Sequence, residues 1–256
     1  MRKLKLCYCL LLLSFFTSCS SNSDYTKSDV DSLIQEYKYE VTFDFFNYDV
    51  GSDGIIYIAD KNHIKTLDEK GKVNNFVDTL GFCIDIALRN EKIYALDISE
   101  NSVKVFNKKG KFIEQFDFLD SNVYKLNVIN NNIFLLNADT HGKTYITIID
   151  IDKNVSEKIN TYDNIEKILE YHDNSVLLCL RSKVDNILTL LEYDYVLKKE
   201  VSSKTLNDYP GIVDVDFDIS DDTLYMCDGI SIKTWNISND TRQTFFTLNS
   251  EKKKLS

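Results

Sequence analysis

Asp and Asn side chains at a repeated position are the groups of this chain that could do chemistry. Asp85 and Asp216 each stand eight residues before an apolar segment, IYALD for the first and LYMCD for the second. Asn127 stands near that position before a third segment, and Asp44 would join them if NYDVGSDG is an inserted loop. Carboxylates brought to one level repel one another unless they are solvated, protonated or bridged by a cation. Water, weakly bound Ca²⁺ or a basic segment of a partner could therefore lie there.

Other reactive residue types form no recognisable site. His63 and His141 occupy comparable places in their repeats, but two repeats separate them, which is too far to share a metal ion. DIDKN (150–154) begins like a calcium loop but lacks the glycine at position six and the glutamate at position twelve. The sequence contains no nucleophile elbow, phosphate-binding loop or dinucleotide fingerprint. It leaves enzyme activity uncertain, favours a non-enzyme and indicates no cofactor.

The elements that would position these side chains recur along the chain. One strand pattern, an apolar run closed by Asp or Asn, appears five times at spacings of 39, 43, 44 and 42 residues. The copies are IKTLD (64–68), VKVFN (103–107), ITIID (146–150), LLEYD (190–194) and IKTWN (232–236). Other apolar strands precede each copy, and a further strand follows it in most copies. Four short strands in about 40 residues are typical of a β-propeller blade.

The predicted fold class is therefore all-β, a propeller of four-stranded antiparallel blades. Sheets stacked around an axis each bury their faces against their neighbours, which a single sheet cannot do. Five repeats are visible, and the count leaves five or six blades open. Residues 28–46 could begin with a helical turn and add a long strand to the last sheet. In this fold the first strand of each blade would line the axis, where Asp44, Asp85, Asn127 and Asp216 would face a narrow channel.

Two further predictions concern side chains at fixed places in the repeat. Residues at one register, just before the closing Asp or Asn, should all be buried between sheets: Leu67, Phe106, Ile149, Tyr193 and Trp235. Residues that end the preceding strand should cap the turn by bonding backbone N–H groups: Asp60, Asp97, Asn137 and Asp228.

The N-terminal sequence predicts where in the cell the protein is located. MRKLK is basic, about ten apolar residues follow, and small residues precede Cys19. This is the pattern of a secretory signal, too short to span a bilayer comfortably. Phe16-Thr17-Ser18-Cys19 resembles a bacterial lipobox, although Phe16 replaces the usual leucine. That resemblance implies that Cys19 becomes the acylated first residue of the mature chain; the alternative is an ordinary secretory signal.

The remaining cysteines and the net charge of the chain allow two further predictions, one about burial and one about the class of partner. Cys7 and Cys9 would leave with the signal, whereas Cys83, Cys179 and Cys227 lie inside apolar runs and should be buried. The net charge is −10, and removal of the basic signal makes it more negative. Such an acidic surface argues against a nucleic-acid partner.

The repeats resemble those of NHL-type propellers, in which a strand like IYIAD runs into IKTLD and a D-x-x-G-K turn. Together with the lipobox, the chain resembles the propeller lipoproteins of Bacteroides-type bacteria, which are six-bladed. The resemblance is good over 43–117, fair over 207–249 and poor over 121–206. It implies a lipid-anchored protein of the cell envelope, expected at the outer membrane.

The predicted organisation has four parts: a signal peptide (1–18), lipidated Cys19 with a polar tether (19–36), the propeller (37–249) and a C-terminal tail (250–256). The expected function is that of a binding module for a protein or glycan, joined to the membrane through Cys19. An envelope-assembly scaffold, by analogy of fold, and a metal-dependent hydrolase are the alternatives.

Overall fold

The computed structural model describes residues 47–68, 71–120, 122–162, 164–172, 174–185, 187–207, 212, 214–228 and 231–247. Within these ranges the regular structure is entirely β, in twenty strands and without a helix. Consequently no helix of the described residues is long and apolar enough to cross a membrane. Residues 1–46 and 248–256 lie outside, and with them Asp44, Cys19, the tether and the tail.

The strands form five sheets of four, each antiparallel and each built from strands consecutive in sequence. Blade 1 contains β1 (Asn47–Val50), β2 (Ile56–Asp60), β3 (His63–Leu67) and β4 (Val73–Val77). Blade 2 contains β5 (Cys83–Arg89), β6 (Lys92–Asp97), β7 (Ser102–Asn107) and β8 (Phe112–Asp117). Blade 3 contains β9 (Val123–Ile129), β10 (Asn132–Ala138), β11 (Thr144–Asp150) and β12 (Val155–Tyr162).

The last two sheets repeat the same arrangement. Blade 4 contains β13 (Ile165–Glu170), β14 (Ser175–Arg181), β15 (Leu188–Asp194) and β16 (Lys199–Thr205). Blade 5 contains β17 (Asp214–Asp218), β18 (Thr223–Cys227), β19 (Ser231–Asn236) and β20 (Thr241–Thr247). Within the described residues the fold is thus a β-propeller of five four-stranded blades, which confirms the predicted class.

Contacts divide the chain into two compact units. In the described residues the first unit extends to Thr161 and holds blades 1 to 3, whereas the second begins at Tyr162 and holds blades 4 and 5. In the first unit, apolar side chains pack between blades 1 and 2 and between blades 2 and 3. In the second unit, one cluster joins blades 4 and 5 around Trp235 and Met226.

The repeated register holds the core. Leu67, Phe106, Ile149, Tyr193 and Trp235 are all buried, as their shared position in the repeat predicts. Each large apolar side chain removed from water contributes roughly 1.5–3 kcal/mol. Cys83, Cys179 and Cys227 are buried free thiols, which confirms their interpretation as small apolar residues.

The hairpin turns of the first two blades contain glycine in a left-handed conformation. Gly71 and Gly110, which close DEKGK and NKKGK, both adopt φ of 74°. This left-handed conformation favours glycine because it has no Cβ. At Gly110 an added Cβ would also lie 2.6 Å from the carbonyl oxygen of Phe76.

The start of blade 1 differs from expectation. The stretch NYDVGSDG is not an inserted loop, because Asn47–Val50 forms β1 and pairs with β2. The alternation Asn-Tyr-Asp-Val is compatible with a strand, but its two polar residues conceal that pattern in the sequence. Asp44 was expected in the channel only if this stretch were an inserted loop, and Asp44 itself lies outside the described residues.

Candidate functional site at the first strands of the blades

The first strand of every blade carries a polar residue at one shared register. In each blade this residue pairs with the fourth residue of the recurrent second-strand segment, for example Asp85 with Leu96. We call this set the polar register: Asn47, Asp85, Lys125, Lys167 and Asp214. It contains two acidic and two basic side chains, so the register as a whole is balanced in charge.

Asp85 is the most buried member of the polar register in the first unit, with 2 % exposure. One carboxylate oxygen accepts the side-chain amide of Asn47 and the backbone N–H of Ile86, the latter at 2.9 Å. The other oxygen accepts the N–H of Leu126 in blade 3 at 2.7 Å. This one carboxylate therefore links the first strands of blades 1, 2 and 3.

The environment of Asp85 acts on its proton affinity in two directions. Burial raises the pKa of Asp85 to about 6, against the opposing hydrogen bonds from Leu126, Asn47 and Ile86 and the charge of Lys125. A buried carboxylate is costly unless hydrogen bonds and a nearby cation compensate it. The side chain can therefore act as a structural link that changes charge in mildly acidic solution.

A second carboxylate, that of Asp49, links blades 1 and 2 by hydrogen bonds in the same way. Asp49 accepts the N–H of Val50 through one oxygen and the N–H of Leu88 in blade 2 through the other, both at 2.7 Å. The first strands of neighbouring blades belong to separate sheets. In this unit the carboxylates of Asp49 and Asp85 therefore supply hydrogen bonds between those strands. Hydrogen bonds to a charged acceptor contribute about 1.5–3 kcal/mol.

The second unit uses a lysine for the same purpose. The Lys167 ammonium in blade 4 donates to the Val215 carbonyl at 2.6 Å and pairs with Asp214 in blade 5 at 3.3 Å. Burial acts to lower the pKa of Lys167, but the charges of Asp214 and Asp216 outweigh it, and the pKa lies above its usual value. The lysine is therefore held in its charged form.

The structure separates the predicted channel residues into two registers. Asp216 pairs with Tyr225 and Asn127 with Phe134, which places both at the register of Ala87, two residues from that of Asp85. The expectation that Asp85 and Asp216 share one level was wrong. The reason is turn length: β5 and β6 are joined by two residues and β17 and β18 by four, so Asp214 is the counterpart of Asp85.

Asn127 and Asp216 are both half-buried. Each accepts the N–H of the next residue, at 2.8 Å for Asn127 and 3.0 Å for Asp216. Whether Asp85, Asn127 or Asp216 binds a ligand stays a prediction.

Sequence reasoning missed Asn47, Lys125, Lys167 and Asp214, the other members of the polar register. A signal existed in the Asp-x-Asp-x-Asp pattern of β17, which offers three candidate aspartates on one side of the strand. Choosing between them needs the turn length, which the sequence did not fix. The lysines carry no motif, because their role depends on the neighbouring blade.

A second polar position lies where the second strand ends, and it uses ion pairs in three blades. Asp60 pairs with Lys65 at 2.5 Å, Asp97 with Lys104 at 3.0 Å and Asp228 with Lys233 at 3.1 Å. Asn137 takes this place in blade 3 and bonds Thr147 instead.

Asp97 shows what this position does to a carboxylate. It accepts the N–H groups of Gly81 at 2.8 Å and Phe82 at 2.9 Å in addition to the Lys104 ammonium. Burial acts to raise the pKa of Asp97, but these three donors outweigh it and hold the pKa well below its ordinary value. The capping role is confirmed for Asp97 and for Asp228, which accepts the N–H of Ser231 at 2.7 Å. Asn137 was predicted to accept such a bond, but its amide donates to Leu135 and Thr147.

The three histidines lie in three different blades, and His63 pairs with Asp60 across β2 and β3. His63 begins β3, His141 is exposed in the turn before β11, and His172 stacks near Tyr171 at 3.9 Å between ring centroids. In the described part of the chain, no group of three or more His, Cys, Asp and Glu side chains is placed to hold a metal ion.

Comparison with known proteins identifies the fold and no family. No protein-family model matches the chain, and no curated protein matches it. A chain in the crystal structure of the nidogen/laminin complex is similar, with a TM-score of 0.54 and 15 % identity over 80 % of this chain and 77 % of that one. The computationally designed Ika8 protein gives a TM-score of 0.49 and 14 % identity over 74 % of this chain and 57 % of that one, too weak to support an argument. The first similarity shows the propeller fold alone.

Proposed function

We propose that this chain is a lipid-anchored β-propeller of a bacterial cell envelope that binds a partner protein. The observation that carries the proposal is the fold itself, five antiparallel blades with short connecting loops. Propellers present such loops as an adaptable surface on a rigid scaffold. Similarity to a chain from the nidogen/laminin complex, in which two proteins are joined, supports a protein rather than a small ligand.

Side chains on the loops support a protein partner as well. Leu119, between β8 and β9, and Val184, between β14 and β15, are almost completely exposed. The charge of the chain, −10, favours a partner with a basic surface.

The anchor is tested by substitution of Cys19. Full-length protein is expressed in a Gram-negative host, and membranes are partitioned between detergent and aqueous phases. The parent should enter the detergent phase, whereas Cys19→Ser should stay as uncut precursor or enter the aqueous phase. Cys9→Ser is the matched control, because Cys9 lies within the signal segment and should leave lipid attachment intact. If processed Cys19→Ser still enters the detergent phase as the parent does, the anchor is excluded.

Partner binding is tested in the native membrane. The lipidated chain is cross-linked in cells, the attached protein is identified by mass spectrometry, and the purified pair is titrated by calorimetry. We expect saturable binding at a fixed stoichiometry that weakens with salt, because the propeller is acidic. Saturable binding of envelope polysaccharide, with no cross-linked protein, would assign a glycan instead and overturn the proposal.

A further inference from the structure

Blade 3 departs from the repeat at the end of its second strand. In blades 1, 2 and 5 an aspartate at this position holds a lysine from the third strand of the same blade. In blade 3 Asn137 takes the place of the aspartate, and Thr147 takes the place of the lysine. Thr147 pairs with Leu135 across β10 and β11 in the same register as Lys104 pairs with Ala95 across β6 and β7. Both the charge and the ammonium group found in blades 1, 2 and 5 are thus absent from this position in blade 3.

Asn137 keeps one unsatisfied group in a fully buried place. Its side chain is 0 % exposed, and its nitrogen donates to the Leu135 carbonyl at 3.0 Å and to Thr147 Oγ1 at 3.1 Å. Because the Leu135 carbonyl accepts only, the amide must present its NH₂ group there. Asn137 Oδ1 then has no hydrogen-bond partner among the described residues. A buried acceptor without a donor is costly, so a ligand that supplies a donor to this oxygen is favoured.

A negative charge lies beside it on the loop that precedes β9. Asp120 accepts the Thr147 hydroxyl at 2.7 Å and the Tyr145 hydroxyl at 2.8 Å. No lysine, arginine or histidine of the described residues forms a salt bridge with Asp120, whereas Asp97 in blade 2 has Lys104. Thr147 Oγ1 bonds both Asp120 and Asn137, so the carboxylate and the orphan amide belong to one cluster.

The surrounding charges favour a cation at this cluster. Burial, the hydrogen bond to Asp120 and the charges of Asp120 and Asp139 raise the pKa of Tyr145 to about 12, so its hydroxyl stays protonated. Lys158 is the opposing charge, and its ammonium lies over the Tyr145 ring, 3.3 Å from the centroid. It does not pair with Asp120.

We propose that Asp120, Asn137, Tyr145 and Thr147 form a binding site for a primary ammonium group, the side chain of a lysine on the partner protein. An ammonium has three donors and no acceptor, which matches one carboxylate, one amide oxygen and a hydroxyl oxygen. A divalent metal ion is a poor match, because the cluster offers a single carboxylate. Leu119, fully exposed beside Asp120, would contact the methylene stem of such a lysine.

The proposal rests on the proposed protein-binding function, but its test does not need the partner. The probe is the blocked tripeptide acetyl-Gly-Lys-Gly-amide, titrated into the full chain in detergent solution, and the readout is the side-chain amide signal of Asn137 by NMR. We expect a saturable shift of this signal. The same peptide with ε-acetylated lysine has no ammonium group and should give none.

Two variants sharpen the test. Asp120→Asn removes the charge and should weaken peptide binding about 10- to 100-fold. The double variant Asn137→Asp/Thr147→Lys installs the built-in ion pair of blades 1, 2 and 5, and it should abolish peptide binding while the thermal midpoint stays at or above that of the parent. That midpoint shows that the variant is folded, so lost binding can be assigned to the occupied site.

The proposal is overturned if the Asn137 signal does not move, if acetylated peptide shifts it equally, or if the double variant binds as the parent does. Failure of this site leaves the proposed function standing when a partner protein is still captured by cross-linking. Conversely, peptide binding without any captured partner would retain the site and reject the partner.

Discussion

Blades 2 and 3 lie in one unit and have the same four-strand pairing, yet they place charge differently at two equivalent positions. At the end of the second strand, blade 2 has the Asp97–Lys104 pair and blade 3 has Asn137 with Thr147. At the polar register, blade 2 has Asp85 and blade 3 has Lys125. The backbone repeat therefore determines where a polar group lies, whereas the neighbouring side chains determine whether that group is paired, buried or left without a hydrogen-bond partner.

The largest expected effect comes from breaking the blade 2 pair. Asp97→Ala leaves Lys104, itself buried, with only Glu100 as a carboxylate partner and removes the acceptor of two loop N–H groups. Breaking a buried pair by removing one partner costs about 3–5 kcal/mol. Asn137→Ala in blade 3 should cost only about 1–2 kcal/mol, because no charge is stranded. Urea unfolding measures both, and equal costs would show that the two blades do not differ in this way.

A pH series should separate the two aspartates of blade 2. The pKa of Asp85 is raised to about 6 from 3.8, so its stabilising contribution is complete below about pH 4 and is lost as pH rises through 6. The difference in unfolding free energy between parent and Asp85→Asn should then change in the parent's favour by on the order of 3 kcal/mol between pH 7 and pH 4.

Asp97 should behave in the opposite sense, because its pKa is lowered. Its contribution is present above about pH 4, near the ordinary pKa of a carboxyl group, and is lost as the solution becomes more acidic. The advantage of the parent over Asp97→Asn should therefore shrink on acidification. Thermal melting of both variants from pH 7 to pH 3 measures the two slopes, and slopes of one sign would contradict the assigned environments.

A smaller effect distinguishes the hairpin turns of the two blades. Gly110 of blade 2 has φ of 74° and lies against the Phe76 carbonyl, whereas Asn154 of blade 3 reaches φ of 51° with an exposed side chain. Gly110→Ala should destabilise by about 2 kcal/mol, from left-handed strain and the close oxygen. Asn154→Gly should change stability by a few tenths of a kcal/mol at most, since asparagine tolerates this conformation. Denaturant midpoints compare them, and a neutral Gly110→Ala would show that the close approach is absent.

The smallest expected effect concerns calcium at the first strands. Asp85 already accepts three donors, and Lys125 lies near enough to act on its charge. Calcium at millimolar concentration should therefore leave the thermal midpoint unchanged in the parent and in Asp85→Asn/Asp216→Asn. A rise in the parent that disappears in the double variant would establish the cation site that the sequence left open.

The sequence predicted the repeated core well and the polar positions only in part. Phe106 and Trp235 were predicted to be buried because their register depends on local alternation and hydrophobicity alone. Asp216 was assigned to the wrong level because the pairing of two strands depends on the turn between them, and the turns of blades 2 and 5 differ by two residues. The strand Asn47–Val50 was missed because its polar residues find their partners in the next blade.

By itself the sequence determined the architecture of this protein. A recurrent pattern of four apolar strands, with glycine where a hairpin needs positive φ, permits few folds other than a propeller, because only stacked blades bury every sheet. Only the tertiary structure decided how the polar residues act. Asp85 reaches Leu126 across 41 residues, and Asn137 Oδ1 has no partner among the described residues because Thr147 cannot supply an ammonium. These properties belong to pairs of side chains brought together by folding, and such pairs leave no periodic signal along the chain.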